Sequence, residues 1–143
     1  MITVSASIEI SKPVSEVFAM ASDPYNQAKW NHHEGLSDIK KLTAGPLGAG
    51  ARYSATSNDA GEIEVEYIQV EKDKLFEQAL STKFGKIIHR AEFSKSKTGT
   101  LLNHSLTIEP KGMYKLMGGV IKGVAHKRLE HLGLLLKEYL EKN

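Results

Sequence analysis

The sequence predicts an α+β fold in which a curved antiparallel sheet of six or seven strands wraps around a long C-terminal helix. Two short helices follow the first strand in this prediction. It depends on three observations: strict alternation of apolar and polar residues over 2–11, short strands joined by tight turns over 51–109, and a single apolar stripe over 112–142. A sheet with one apolar face and a helix with one apolar stripe bury these surfaces most simply against each other.

The first strand has the clearest pattern in the chain. Five apolar side chains alternate with polar ones and would share one face: Ile2, Val4, Ala6, Ile8 and Ile10. A short helix is expected next, because Pro13 suits the first turn of a helix. Asp23-Pro24 predicts the start of a second short helix towards Trp30, with the acid as cap and the proline at the first helical position. The two helices would cover one end of the sheet.

The middle of the chain predicts a meander of antiparallel strands. One strand is expected near residues 38–43, and five more at 51–57, 62–71, 74–82, 86–96 and 100–109. Short joints rich in turn residues favour pairing between strands that are neighbours in sequence. On the last two strands the inward positions are Ile87, His89, Ala91 and Phe93, and Leu102, His104, Leu106 and Ile108. The glycine-rich loop 45–50 does not predict a phosphate site, because no Lys-Ser/Thr follows and the next segment is a strand.

Residues 112–142 predict one long amphipathic helix. Its apolar stripe comprises Met113, Met117, Val120, Ile121, Val124, Leu132, Leu135, Leu136 and Tyr139. Gly118, Gly119 and Gly123 interrupt the first half, which suggests close backbone approach, a bend or looseness there. Arg128 is expected near the middle of the stripe, where it either reaches a carboxylate or solvent, or faces an internal cavity. A cavity is expected beside the half that is rich in methionine and glycine.

Composition excludes several classes of protein. The chain has 143 residues, 41% of them hydrophobic and 25% charged, which predicts one globular domain over residues 1–143. It has no cysteine, no apolar run of membrane-spanning length and no pattern of a secretory signal, so a cytoplasmic location without stable membrane insertion is expected. The net charge of +2 is small and the lysines are scattered, so no nucleic-acid partner is expected.

The order of elements and a set of residues resemble the START-related helix-grip superfamily (SRPBCC), in particular its polyketide cyclase/dehydrase and lipid-transport branch. The matching residues are Ile8-x-Ile10-x-x-Pro13-x-x-x-Val17-Phe18, Asp23-Pro24, Trp30, Gly45-Pro46, Gly48, Gly99-Thr100 and Leu135…Lys137…Leu140-Glu141. The likeness extends from about Thr3 to Lys142, and it is the ordered set rather than any one motif that is specific. The resemblance implies a deep apolar cavity between sheet and long helix that holds hydrophobic small molecules. No position matches a catalytic motif of an enzymatic branch, so no catalytic residue is carried over.

Eleven residues are the candidate lining of that cavity: Trp30, Tyr67, His89, Phe93, His104, Leu106, Met113, Met117, Val120, Val124 and Arg128. His89 and His104 interrupt otherwise apolar inward faces. They are either core histidines with a hydrogen-bond partner, or polar groups that orient a ligand or act as a general base. Together with Arg128 they could form a cationic trio that binds a carboxylate or an enolate oxygen.

The sequence therefore favours binding of a hydrophobic or amphipathic small molecule, such as a lipid or a polyketide-like compound, with transport of that molecule as a possible extension. Two alternatives stay open: a cyclase or dehydratase-type enzyme that uses His89 or His104 for proton transfer, and a module whose groove binds a protein segment, for example as a homodimer. No cofactor is expected. No metal site is expected either, because adjacent His32 and His33 lack the convergent ligands that zinc needs. The sequence does not identify the ligand.

Overall fold

Seven antiparallel strands form one sheet, and the last element of the chain is a long helix. The computed structural model describes residues 1–142, so Asn143 of the predicted domain lies outside the described residues. In chain order the elements are β1 (Ile2–Ile10), α1 (Val14–Ser22), α2 (Pro24–Trp30), β2 (Ser37–Lys41), β3 (Arg52–Ser57), β4 (Gly61–Glu71), β5 (Leu75–Thr82), β6 (Gly85–Lys95), β7 (Thr100–Pro110), a 3₁₀ helix (Gly112–Met117) and α3 (Gly118–Lys142).

The strand order β1-β7-β6-β5-β4-β3-β2 makes β2 to β7 a continuous meander. β1 then pairs with the last strand, from Ile2 opposite Ile108 to Ile10 opposite Thr100. This topology confirms the predicted fold class, including the two short helices that follow the first strand. The predicted strands start and end within two residues of the observed ones, because alternation and turn residues are local signals.

Side-chain alternation positions one face of the sheet towards the interior. On β4, Ile63, Val65 and Tyr67 are buried, and the glutamates between them are exposed. The inward residues of β6 and β7 include two polar ones, His89 and His104, which are both buried. The concave face is therefore apolar except at a few positions.

Helices α1 and α2 cover one end of that face. Val17 and Phe18 of α1 are buried, and the Phe18 ring packs edge-on against Phe93 of β6 at 5.2 Å between centroids. Asp23 separates the two helices and caps α2 by accepting a hydrogen bond from the Tyr25 backbone N–H at 2.8 Å. The cap and the following proline explain why a new helix starts here.

The C-terminal segment departs from the prediction of a single helix over 112–142. Residues Gly112–Met117 form a 3₁₀ helix, and the α-helix begins only at Gly118. Gly112 has φ +58°, and Gly118-Gly119 supply two weak helix formers in succession, so a regular first turn is disfavoured there. The buried positions of α3 are Ala125, Leu129, Gly133, Leu136 and Leu140, so the packed surface is displaced from the predicted stripe.

Close backbone approach occurs at a glycine other than the three singled out in the sequence. A Cβ on Gly118, Gly119 or Gly123 would meet nothing within 4 Å. A Cβ on Gly133 would lie 3.2 Å from the Ile8 methyl Cγ2 and 3.4 Å from His104 Nε2. Gly133 thus allows α3 to pack closely against β1 and β7. Gly118, Gly119 and Gly123 have no such packing role and only lower the stability of the helix.

Candidate functional site

A cavity of about 440 Å³ lies between the concave face of the sheet and α3. Side chains from the inward faces of β3 to β7 form one wall, and the three helices, the 3₁₀ helix and connecting loops contribute the rest. The lining is predominantly apolar, with aromatic residues such as Trp30 and Phe93. Volumes of roughly 300–1,000 Å³ with an apolar lining are typical of small-molecule sites.

Nine of the eleven candidate residues lie on the cavity wall: Trp30, His89, Phe93, His104, Leu106, Met117, Val120, Val124 and Arg128. The sheet residues among them face the cavity because side chains alternate along a strand. Helical periodicity puts Val120, Val124 and Arg128 on one side of α3. Val120 and Val124 are also more than half exposed, which places the mouth of the cavity beside the first turns of α3.

Two candidate residues are not on the wall. Tyr67 is fully buried behind it, where its ring packs against Tyr53 and Phe76 and its hydroxyl donates a hydrogen bond to the Ser22 carbonyl. Met113 is 83% exposed, because the 3₁₀ helix turns its side chain away from the cavity. The prediction of a regular helix from residue 112 was the cause of the error at Met113.

Gln78 is a wall residue that the sequence argument missed. It lies on β5 directly opposite His89, and it is buried. Its signal was the same as that of the histidines, a polar residue at an inward strand position between Phe76 and Leu80. The rim residues Glu34 and Asp59 carried no such signal, because their partner Arg128 is distant in sequence.

Buried hydrogen bonds hold two neighbouring polar side chains behind and on the cavity wall. The Tyr67 hydroxyl donates to the Ser22 carbonyl at the end of α1, and Gln78 lies opposite Tyr67 in the sheet register. The Gln78 Oε1 atom lies 3.4 Å from His89 Nδ1. Burial raises the pKa of the Tyr67 hydroxyl well above its usual value, so this group stays a donor at neutral pH.

The two wall histidines are close together and uncharged at neutral pH. Their ring centroids are 5.7 Å apart, on the adjacent strands β6 and β7. Burial, and secondarily His104, lowers the pKa of His89 to about 3, and burial lowers the pKa of His104 to about 4. The Nε2 atom of His89 is buried and has no hydrogen-bond partner within residues 1–142.

Arg128 lies at the rim and is held by acids. Its guanidinium donates to the Asp59 carboxylate, and it lies 3.6 Å from Glu34 Oε1. The sequence left two alternatives for Arg128, pairing with a carboxylate and facing the cavity. In the structure Arg128 does both. The cationic trio does not form, since the histidines are neutral and this cation is already paired.

The described residues 1–142 contain no group of three or more acidic or histidine side chains placed to hold a metal ion. His32 and His33 instead lie near the rim, where His33 stacks edge-on with His131 at 5.5 Å and lies 3.9 Å from Asp59. Over the same residues, no helix has the length and apolar character required to span a bilayer.

Comparison with protein-family models identifies the chain directly. Residues 1–137 match the model of the family described as polyketide cyclase / dehydrase and lipid transport. The chain belongs to this family. The match extends over nearly the whole chain and confirms the resemblance seen in the sequence. A comparison with curated proteins finds no match.

Solved structures show how widely this helix-grip fold is shared. A START superfamily protein from Mycobacterium smegmatis is 19% identical, with a TM-score of 0.82 over 98% of this chain and 97% of that one. The protein MLL2253 from Mesorhizobium loti is 16% identical, with a TM-score of 0.75 over 99% and 98%. DynU16, from the dynemicin biosynthetic locus, is 20% identical, with a TM-score of 0.68 over 97% of this chain and 47% of that one. At these identities the likeness establishes the fold.

Proposed function

We propose that the chain binds a hydrophobic or amphipathic small molecule, such as a lipid or a polyketide-like compound, in the cavity between sheet and α3, and carries it. The observation that supports this most is the cavity itself, about 440 Å³ of space with a mostly apolar lining. The side chains that line an empty apolar cavity lack van der Waals contacts on that side, and a ligand that fills the cavity supplies these contacts.

Binding explains the wall better than proton transfer does. A general base is most effective when its pKa is near the operating pH. The pKa values of His89 and His104, about 3 and about 4, lie far below neutrality, and no carboxylate lies beside them to raise these values. The cyclase or dehydratase alternative would therefore need a different group, or a substrate that changes the surroundings of these rings.

The shape of the cavity mouth also favours a small molecule over the remaining alternative, a module that binds a protein segment. Val120 and Val124 are exposed, but they continue into an interior void rather than into a flat surface. A small molecule that fills this void buries more apolar surface than a segment lying across the mouth. The cytoplasmic location, the lack of a nucleic-acid partner and a homodimer stay predictions of the sequence.

Native mass spectrometry on protein purified from its own host tests this function. We expect wild-type protein to carry one added small molecule, which is lost on mild activation. The matched variants are Leu106→Trp, which puts an indole into the cavity, and Thr107→Trp, which puts it on the opposite face of β7.

The mass shift should disappear in Leu106→Trp and persist in Thr107→Trp. Wild-type protein that binds no apolar compound, either from its host or from an added panel, would refute the proposal. So would a ligand retained equally by both variants, because that ligand would be outside the cavity.

A further inference from the structure

We propose that the cavity is selective for an uncharged ligand carrying a hydroxyl group, with His89 Nε2 accepting its hydrogen bond beside His104. This inference rests on the proposed binding function and specifies which chemistry the cavity takes. It follows from the direction of the hydrogen bonds that lead to His89.

The direction is fixed at the buried Gln78 side chain. Gln78 of β5 lies opposite Tyr67 on β4 and opposite His89 on β6, and its Oε1 atom is 3.4 Å from His89 Nδ1. The Tyr67 hydroxyl has one hydrogen, which it donates to the Ser22 carbonyl, so its oxygen can only accept from a neighbouring group such as the Gln78 amide. Because Oε1 can only accept, His89 Nδ1 must carry the hydrogen.

A neutral imidazole has one protonated nitrogen, so the lone pair is on Nε2. This atom is buried and has no partner within residues 1–142. A buried acceptor without a partner costs roughly 1–3 kcal/mol. An arrangement that stabilises one tautomer and leaves its acceptor unused is consistent with a donor supplied by a ligand.

Several other polar groups of the wall are already used. Gln27 and Trp30 donate to the carbonyls of Ala21 and Met20, at 2.7 and 2.8 Å. The Ser57 and Thr82 hydroxyls bond within their own turns. His89 Nε2, beside the His104 ring, is therefore a buried position on the wall where a ligand hydroxyl finds an unused acceptor.

A charged ligand finds no counterion at this position. Both histidines are neutral, and burying an unpaired carboxylate beside them is unfavourable. Arg128 is at the rim and is neutralised by Asp59 and Glu34. The site therefore prefers alcohols or phenols over acids of the same shape.

Three fluorescent compounds with one ring system test the selectivity: 1-hydroxypyrene, 1-methoxypyrene and 1-pyrenecarboxylate. In fluorescence titrations at neutral pH we expect 1-hydroxypyrene to bind about tenfold more tightly than 1-methoxypyrene, and the carboxylate to bind most weakly. In His89→Leu the tenfold preference should fall to about one, with 1-methoxypyrene binding retained.

Nitrogen NMR of the wild-type protein supplies a readout that needs no variant. The His89 Nε2 resonance should be that of an unprotonated nitrogen and should shift when 1-hydroxypyrene, but not 1-methoxypyrene, is added. A protonated Nε2, or equal affinity for the two compounds, would overturn the selectivity and leave the binding function intact. If none of the three compounds binds, the selectivity is overturned as well, whereas the binding function itself is refuted only when native mass spectrometry finds no bound apolar compound.

A second inference concerns the surface beside the mouth, residues 111–128, which we name the mouth segment. Its apolar side chains are unusually exposed: Met113 83%, Leu116 90%, Met117 45%, Val120 61% and Val124 51%. Its lysines are Lys111, Lys115, Lys122 and Lys127, its Arg128 is already paired with Asp59 and Glu34, and it contains no aspartate or glutamate. The nearest acid before it, Glu109, lies opposite Lys86 in the sheet register.

We propose that the mouth segment attaches the protein to an anionic lipid surface. Exposed apolar side chains interleaved with lysines, without acids, are typical of helices that lie in the membrane interface. Each lysine near such a surface contributes about 1 kcal/mol of attraction. Attachment is peripheral, and it would bring the cavity mouth next to the lipid.

Co-sedimentation with vesicles tests the attachment. We expect binding to vesicles of equal parts phosphatidylcholine and phosphatidylglycerol, weakened by salt, and little binding to phosphatidylcholine alone. Leu116→Glu should reduce binding at least tenfold. Leu134→Glu is the matched control, because Leu134 is an exposed leucine of α3 outside the mouth segment.

Equal binding of the two variants, or no preference for anionic vesicles, would overturn the attachment. Sedimentation velocity distinguishes another occupant. A wild-type dimer that Leu116→Glu dissociates would assign the mouth segment to an interface between two copies and would also overturn the proposal.

Discussion

Acidification should destabilise the protein through His89 and His104 well before most carboxylates titrate. In the unfolded chain a histidine has a pKa near 6.5, and in the folded chain these two have pKa values of about 3 and about 4. Between these values the unfolded chain binds protons that the folded chain does not. The stability from the neutral pair is therefore fully present above about pH 6.5 and is lost as the pH falls towards 4.

The magnitude follows from the size of the shifts. One pH unit corresponds to about 1.4 kcal/mol per group, so at pH 5 each histidine loses about 2 kcal/mol, and the pair about 4. That is a large part of the roughly 5–15 kcal/mol that stabilises a typical domain. The neighbours of the pair, Phe76, Gln78 and Gly133, carry no charge that would offset the loss.

Urea unfolding at pH 7, 6 and 5 measures this loss, with the double variant His89→Leu/His104→Leu as control. We expect the free energy of unfolding of the wild type to fall by about 4 kcal/mol more than that of the variant between pH 7 and pH 5. At pH 7 the variant should be about as stable as the wild type, because removing the unpartnered Nε2 acceptor is offset by leaving the buried Gln78 Oε1 without its donor. Parallel pH profiles would show that the two rings are hydrated or paired, and would refute the reasoning.

Three further predictions concern stability and are measured by urea unfolding at neutral pH. Gly123→Ala should stabilise α3 by up to about 1 kcal/mol, because its Cβ meets open space, whereas Gly133→Ala should gain less, because its Cβ would crowd the Ile8 methyl and the His104 ring; equal effects would contradict the packing. Tyr67→Phe should cost about 1–3 kcal/mol, since it leaves the buried Ser22 carbonyl without its donor; a neutral change would mean that this hydrogen bond does not form. Asp59→Asn should change stability by less than about 1 kcal/mol, because the ion pair with Arg128 is partly exposed, and a loss above 2 kcal/mol would contradict that exposure.

The fold could be predicted from the sequence because its signals are local. The alternation over 2–11 and the cap at Asp23-Pro24 depend on neighbouring residues, and they positioned the corresponding elements correctly. The beginning of the last helix could not be predicted in the same way. Apolar periodicity continues through Met113 and Met117, but backbone conformation at Gly112 and Gly118 decides where the α-helix starts.

The site was predictable only where a single strand shows its inward face. His89 and His104 could be recognised as polar residues in apolar positions, and Gln78 could have been recognised in the same way. The bond from Tyr67 to Ser22 and the contact between Gln78 and His89 join residues of different elements, and no sequence pattern indicates these pairings. The pairing of Arg128 with Asp59 is non-local for the same reason.

The central claim, that a small molecule lies between sheet and α3, is tested most directly by isotope-filtered NMR on the complex with 1-hydroxypyrene. We expect intermolecular NOEs from the aromatic ring to the methyl groups of Ala91 and Leu106 on the sheet and, at the same time, to Val124 on α3. NOEs confined to exposed residues such as Leu116, or none at all from a bound compound to the sheet methyl groups, would contradict it.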